Sequence, residues 1–197
     1  MALAHDVQDG QTPLDPDELA GLIPNHLTTQ AELNDWEQTN ILSAVKWLLK
    51  NQGKDVLNEA FCRSLHKKMF DQTWAWAGTF RCSDKNIGCD WTLVSVHLRN
   101  LFDDVRVWIQ HGTYPPDEIA ARFHHRLVSI HPFPNGNGRH SRMMADELLL
   151  RMQQPLFTWG NRGPLVAADE TRGRYLIALR AADNRDYGPL LAFARSA

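Results

Sequence analysis

Apolar positions recur at helical spacing along most of this chain. Leu33, Trp36, Ile41, Ala44, Val45 and Leu48 follow a period of three to four residues and predict a helix from Thr29 that is over by Gly53. It opens on Thr29-Gln30-Ala31-Glu32, a capping box in which Thr29 and Glu32 satisfy each other's free backbone donors. A second helix is predicted from about Asp55 to Phe70, with Leu57, Ala60, Phe61, Leu65 and Met69 on its buried side. Val94, Leu98, Leu101, Phe102, Val105, Trp108 and Ile109 mark a third, and Gly112 stands just past its end. Pro116 suits the first turn of a fourth, which carries Ile119, Phe123, Leu127 and Ile130. A fifth begins near Gly138 and buries Met143, Met144, Leu148 and Met152. Two shorter helices follow, Thr171 to Ala182 with Tyr175, Leu176 and Leu179, and Pro189 to Arg195 with Leu190, Leu191 and Phe193.

Two stretches break the pattern. Residues 1–28 read as a polar N-terminal arm punctuated by Pro13, Pro16, Gly21 and Pro24, where Asp15-Pro16-Asp17-Glu18 can start one short helix. Between Thr79 and Trp91, the breakers Gly78, Asp84, Asn86, Gly88 and Asp90 surround Phe80 and Ile87, which reads as a short hairpin or an open loop. The expected class is all-α, a bundle of about seven helices with at most one small β-hairpin.

Composition fits one ordinary globular domain. The chain has 197 residues, 43% apolar and 22% charged, enough to bury a single core and too apolar for a disordered segment. Lys and Arg number 21 against 23 Asp and Glu, a net charge of −2, which argues against a protein living by electrostatic capture of nucleic acid. Cys62, Cys82 and Cys89 are an odd count without a dense framework, so reduced thiols are expected. The first ten residues lack an apolar run, and no stretch is apolar enough to cross a bilayer. A cytoplasmic protein without membrane contact is the expectation.

The chemistry concentrates in His131-Pro132-Phe133-Pro134-Asn135-Gly136-Asn137-Gly138-Arg139-His140-Ser141-Arg142. Pro132 ends the preceding helix, because proline disfavours the helical state in the residue before it, so His131 is held on a rigid shoulder. Gly136 and Gly138 let backbone amides approach a ligand closely and form an anion-binding nest. The segment feeds directly into a helix N-terminus, where free N–H groups and the helix dipole attract phosphate. Arg139 and Arg142 share a helix face at that end and can grip phosphates bidentately. A histidine of near-neutral pKa beside such a site is a natural proton acceptor for a hydroxyl nucleophile. Asn135 offers an oxygen that can help place a magnesium ion. His124, His125 and His140 invite a metal reading with His131, but no carboxylate or thiolate stands at a ligand spacing, and adjacent helical histidines point about 100° apart.

This segment resembles the Fic motif, His-Pro-Phe-x-(Asp/Glu)-Gly-Asn-Gly-Arg-x-x-Arg, at eight of its nine specified positions. Trp76-Ala77-Gly78 followed by Phe80-Arg81 resembles the entry to the Fic flap, and Tyr175 through Phe193 the closing helices. Within the family, Leu14 to Leu19 and Ser83 to Gly88 bring the chain closest to the bacterial mobile mystery protein B group. The resemblance implies the Fic fold over residues 29–197, with its core at about 55–195, after an arm at 1–28. It implies a protein adenylyltransferase that takes ATP with Mg2+ as substrate. His131 would accept the proton of a target Ser, Thr or Tyr hydroxyl, and AMP would stay on the target. Phe133, Gly136, Asn137, Gly138, Arg139 and Arg142 would hold the phosphates. Ser83, Asp84, Lys85, Asn86, Ile87 and Gly88 would form the flap that docks the target in extended form. Gly138, where phosphate-transferring members carry lysine, favours AMP transfer. A helix-turn-helix companion, a separate inhibitory partner and a toxin-like role belong to the same resemblance.

The chain departs from the pattern at position 135, where Asn replaces the metal-binding acid. An amide oxygen ligates a hard cation without adding charge, so weaker metal affinity is expected. That departure keeps a second class open, a Fic-shaped module that binds nucleotide or a partner with little turnover. The family's inhibitory pattern, (Ser/Thr)-x-x-x-Glu-(Gly/Asn), has its spacing in Thr28 and Glu32, but Leu33 fills the last place and Glu32 reads first as a capping-box residue.

Overall fold

The computed structural model describes residues 14–160 and 169–196. Among them are eight α-helices: α1 Pro16–Leu19, α2 Gln30–Leu49, α3 Glu59–Phe70, α4 Val94–His111, α5 Pro116–Ile130, α6 Asn137–Arg151, α7 Asp169–Asp183 and α8 Gly188–Arg195. A 3-10 turn, Trp91–Leu93, leads into α4. The all-α class holds, with the short arm helix present as α1.

The helix ends follow local chemistry. Thr29 caps α2: its hydroxyl accepts the Glu32 N–H at 3.2 Å while Glu32 Oε2 accepts the Thr29 N–H at 3.0 Å, which closes the capping box. The Asn58 side chain accepts the Phe61 N–H and starts α3 four residues later than the periodicity suggested. Pro116 occupies the first turn of α5.

Helix α5 is the centre of the bundle, packed against α4, α6 and α8, while α2 packs on α3 and α7 on α8. Phe123 and Leu127 of α5, Leu98 and Leu101 of α4, Met144 of α6 and Leu65 and Met69 of α3 are completely buried. Each such side chain contributes roughly 1.5–3 kcal/mol by leaving water. Four residues of the expected apolar stripes are not inside: Ala60 is exposed, Trp36 is 37%, Val45 42% and Ile109 40% exposed, because the buried stripes of α2, α3 and α4 are narrower than the periodicity implied.

One expectation for the non-helical segments needs correcting, the small β-hairpin. Residues 79–90 form an open loop and not a hairpin; the one bridge among the described residues joins Leu22 to Trp74. The groups a hairpin would pair are taken elsewhere. The Arg81 N–H donates to Pro132 O at 3.0 Å, the Cys89 N–H to Ile130 O at 3.4 Å, and the Arg81 guanidinium to the Ser83 and Cys89 carbonyls. The described part of the arm is also docked. The Ile23 N–H donates to Thr73 O at 2.9 Å and the Ala75 N–H to Gly21 O at 2.8 Å, which lays the arm on the turn before the flap.

Candidate active site

Helices α5 and α6 form a hairpin, and the predicted segment is its connection. His131 ends α5 in the left-handed conformation, φ 55° and ψ 60°. A non-glycine residue reaches that region only when its surroundings hold it there. The holder is Arg81, itself 2% exposed. Its Nε donates to the His131 carbonyl at 2.6 Å and its terminal nitrogens reach the Ile130, Cys89 and Ser83 carbonyls. One cation thus occupies the carbonyl end of α5, where the helix dipole favours it, and ties the flap to the shoulder bearing His131.

The His131 side chain is buried at 4% exposure, and burial pushes its pKa down to about 4. The Val128 carbonyl opposes that shift, while the charges of Arg81 and Lys85 add to it. The imidazole is therefore neutral at pH 7, able to accept a proton, with a pKa below the near-neutral value expected from sequence.

Beyond it the loop is braced from inside. The Asn137 side chain spans the turn: its Oδ1 accepts the Phe133 N–H at 2.9 Å and its Nδ2 donates to the Phe133 carbonyl at 2.7 Å. Phe133 is fully buried and stacks on His66 of α3, ring centroids 3.7 Å apart. These two side chains, expected at the phosphates, are occupied in shaping the loop. His66 Nδ1 accepts the Gly78 N–H at 3.0 Å, so its proton sits on Nε2 and is donated to the Asn135 carbonyl at 3.0 Å. Burial first, then His140 and Arg139, keep His66 neutral, which that arrangement requires.

Gly136 stands at the N-cap of α6 with φ 77°, and a Cβ there would meet the Phe70 ring at 2.6 and 2.7 Å. At Gly138, by contrast, a Cβ would meet nothing nearer than the Tyr175 hydroxyl at 3.9 Å. The N-terminus of α6, with its unspent backbone donors and no side-chain cap, thus opens beside a residue without a side chain.

The two arginines take different partners. Arg139 lies over the Phe70 ring and pairs with Glu37 Oε2 at 2.7 Å. Arg142 is packed against Tyr175, guanidinium carbon 5.4 Å from the ring centre, and its buried surroundings include Asp146 one turn on. Burial raises the Asp146 pKa to about 6 against the Trp159 and Phe157 N–H groups that favour its charge.

Asn135 supplies a carbonyl to His66 and its own Oδ1 accepts the Gly136 N–H at 2.6 Å. A magnesium ion is usually held by one or two carboxylates together with substrate phosphates. At this loop the chain presents one neutral amide oxygen that is already hydrogen-bonded, so these residues do not make a magnesium site by themselves. The other histidines serve the core: His124 Nε2 lies 3.0 Å from the Tyr175 hydroxyl, His125 Nε2 2.8 Å from Asp183, and His140 Nε2 2.9 Å from the Cys62 carbonyl.

The flap residues divide by side. Ser83 and Lys85 point to the arm, with Ser83 Oγ 2.8 Å and Lys85 Nζ 2.7 Å from Asp15 Oδ2. Asp84, Asn86 and Ile87 are exposed, and Asp84 Oδ1 accepts the Trp91 N–H at 3.0 Å. Gly88 touches the shoulder; a Cβ on it would lie 2.9 Å from His131 Cβ and 2.8 Å from an Arg81 nitrogen. Glu32 stays at the α2 cap, its carboxylate also accepting from Thr28, so the Thr28–Glu32 pattern does not reach Arg142. Glu37 and His66 are the residues that sequence reasoning passed over, and Arg81, read there as part of the flap entry, proves to be the clamp on the α5 end. The signal for the first two was a charged or titratable side chain on an otherwise buried stripe.

The Fic/DOC family model matches residues 56–149. A protein adenylyltransferase Fic of Aedes aegypti is 29% identical over 123 residues, which is 59% of this chain and 22% of that protein. The chain thus spans less than a quarter of the length of the curated relatives it matches. Among solved structures, the N-terminal Fic domain of a VirB-translocated effector of Bartonella sp. 1-1C superposes with a TM-score of 0.65 at 16% identity, covering 86% of each chain. A second Bartonella effector, from Bartonella tribocorum and solved with AMPPNP, gives 0.63 at 16% identity over 92% of this chain and 97% of that one. At such identity the structures speak for the fold. No helix among the described residues is long and apolar enough to cross a membrane. Over residues 56–149 this chain is similar to the Fic/DOC family.

Proposed function

We propose that the protein is an adenylyltransferase that moves AMP from ATP to a hydroxyl of a target protein. One observation carries this reading: a neutral, buried His131 is locked beside a glycine loop that opens on the N-terminus of α6, with Arg139 and Arg142 on that helix. ATP phosphates suit the backbone donors at Gly138 and the first turn of α6, the Gly136 N–H being already given to Asn135, and Arg139 and Arg142 match their charge. A target Ser, Thr or Tyr oxygen gives its proton to the His131 imidazole and forms a bond to the α-phosphorus. The bond from that phosphorus to the bridging oxygen breaks, and pyrophosphate leaves. Such transfer depends on positioning and charge neutralisation, which is what this loop supplies. Magnesium would be held mainly by the substrate phosphates, whose charge it would neutralise, and Asn135 would offer it one neutral amide oxygen.

The flap, residues 83–88, receives the target backbone. The catalytic unit runs over residues 29–197, with its core at about 55–195, and residues 14–28 brace it. ATP as co-substrate and three free thiols suit the cytoplasm. A toxin-like role restrained by a separate companion is consistent with Glu32 being held at its own helix cap.

A second reading, nucleotide holding with little turnover, is favoured by the neutral Asn135, which brings no charge to hold a metal. Incubation with α-labelled ATP, magnesium and a cell lysate separates the two. Label on protein that disappears with His131→Ala supports transfer; ATP binding with no label in the wild-type protein supports holding.

A further inference from the structure

Arg81 and Cys89 fasten the two ends of the flap to the end of α5, but the middle of the flap is fastened elsewhere. Lys85 has a side chain only 2% exposed, and its Nζ lies 2.7 Å from Asp15 Oδ2 and 2.7 Å from Glu18 Oε2. Ser83 Oγ donates to the same Asp15 oxygen at 2.8 Å. The two carboxylates are set by α1 itself. Glu18 Oε2 also accepts the Asp15 N–H at 2.8 Å, and the Glu18 carbonyl accepts the Trp76 indole N–H at 2.9 Å. Gly21 permits that seat, since a Cβ there would meet Trp76 at 2.7 Å.

Burying an ammonium group is costly unless charges and hydrogen bonds replace its water, and here two carboxylates do so. A lysine reading as a target contact in the sequence is instead consumed inside the molecule. Residues 83 and 85 turn toward the arm while 84 and 86 turn outward, the alternation of an extended segment. Asp15 and Glu18 engage the flap through the side chains of Ser83 and Lys85, so they shape the segment without themselves pairing with its main chain.

We propose that Asp15 and Glu18 are positioning residues for target docking: through Ser83 and Lys85 they hold the middle of the flap in the shape that receives the target backbone. This rests on the reading of residues 83–88 as the docking segment of an AMP transferase. The arm is then a determinant of target binding and not of nucleotide binding.

The test is the full-length double variant Asp15→Asn, Glu18→Gln, which keeps the side-chain shapes and removes both charges. Three quantities are read: tryptic cleavage after Lys85, followed by mass spectrometry; ATP affinity by calorimetry; and transfer from α-labelled ATP across a dilution series of cell lysate. Cleavage after Lys85 is expected to quicken several-fold. The lysate concentration for half-maximal transfer should rise about threefold or more, the scale of a partly exposed ion-pair cluster. ATP affinity and the transfer plateau should stay the same, and Asp15→Glu should retain wild-type behaviour. Unchanged cleavage overturns the proposal. Faster cleavage with an unchanged dilution curve also overturns it, since the contact would then be structural alone, and increased transfer would make the arm an obstruction. Transfer absent from the wild type sinks the adenylyltransferase reading itself, a result distinct from a wild type that transfers and a variant that matches it.

Discussion

Glu37 of α2 and Arg139 of α6 close an ion pair of 2.7 Å, with the Glu37 side chain 5% exposed and the Arg139 side chain 20% exposed. The second Glu37 oxygen accepts the Trp74 indole N–H at 2.7 Å, so the carboxylate is held from two sides. An arginine proposed to bind phosphate is therefore already paired with a carboxylate that competes for it.

Removing that competitor should tighten nucleotide binding. Glu37→Gln keeps an oxygen for Trp74 and removes the charge facing Arg139. ATP affinity is expected to rise by about tenfold, or ~1.4 kcal/mol, the size of one charge-assisted hydrogen bond. Stability should fall by about 1–3 kcal/mol as Arg139 loses its partner. Calorimetric titration with ATP and thermal melts read both. Weaker ATP binding in Glu37→Gln would mean that the pair orients Arg139 and does not compete for it.

The protein should lose stability on mild acidification. Burial sets the pKa of His131 and His140 at about 4 and of His124 at about 3, and holds His66 well below 6.5. In the unfolded chain these histidines take up protons as pH falls through about 6.5, while the folded protein does not until near pH 4 or below. The unfolded state therefore binds more protons across that window, and stability, complete above pH 6.5, falls as pH drops. Each histidine contributes about 1.4 kcal/mol per pH unit. Asp146, raised to about 6, binds a proton in the folded state and offsets about one of the four. Melting temperature measured from pH 7 to pH 4 should fall steeply; a flat profile would contradict the buried neutral histidines. Transfer, which needs neutral His131, should persist in still-folded protein until pH nears 4.

The sequence displayed the parts of this site whose chemistry is contiguous. Residues 131–142 carry their own instructions: proline stops one helix, glycine opens the next, and arginines repeat along its face. The Thr29–Glu32 capping box was legible for the same reason, since both partners lie within one turn. Contacts between distant segments were not legible. Nothing near Glu37 shows that its partner is Arg139, and nothing near Lys85 shows that Asp15 and Glu18 will bury it. The flap was open to misreading as a hairpin because alternation around Phe80 and Ile87 does not reveal that Arg81 will claim the carbonyls. His66 sat in view between Leu65 and Met69, on a stripe where a histidine needs polar partners.

Two glycines of the loop should fail differently. Gly136→Ala places a methyl group 2.6 Å from the Phe70 ring on a backbone at φ 77°, so strain and clash combine. A loss of about 1–3 kcal/mol in stability is expected, together with loss of ATP binding. Gly138→Ala meets open space in the protein and should melt within about 0.5 kcal/mol of wild type. Its added methyl group stands where phosphate must approach, so ATP affinity should drop all the same. Wild-type ATP affinity in Gly138→Ala would move the phosphates away from the N-terminus of α6.

Asn135 offers the most direct gain of function. Its Oδ1 accepts the Gly136 N–H at 2.6 Å, a bond that an aspartate oxygen makes equally well, so Asn135→Asp should fold normally. The carboxylate adds one negative charge and a stronger ligand beside the proposed phosphates, where magnesium is best held by an acidic side chain and the nucleotide together. Titrating magnesium at fixed ATP should show half-maximal binding or transfer at about tenfold lower metal, ~1.4 kcal/mol. Without magnesium the added charge should repel the triphosphate and weaken ATP binding. The two effects have opposite signs, so the comparison with and without metal separates a ligand role from a general change in the loop. If Asn135→Asp weakened ATP binding equally in both conditions, position 135 would lie too far from the phosphates for a shared cation.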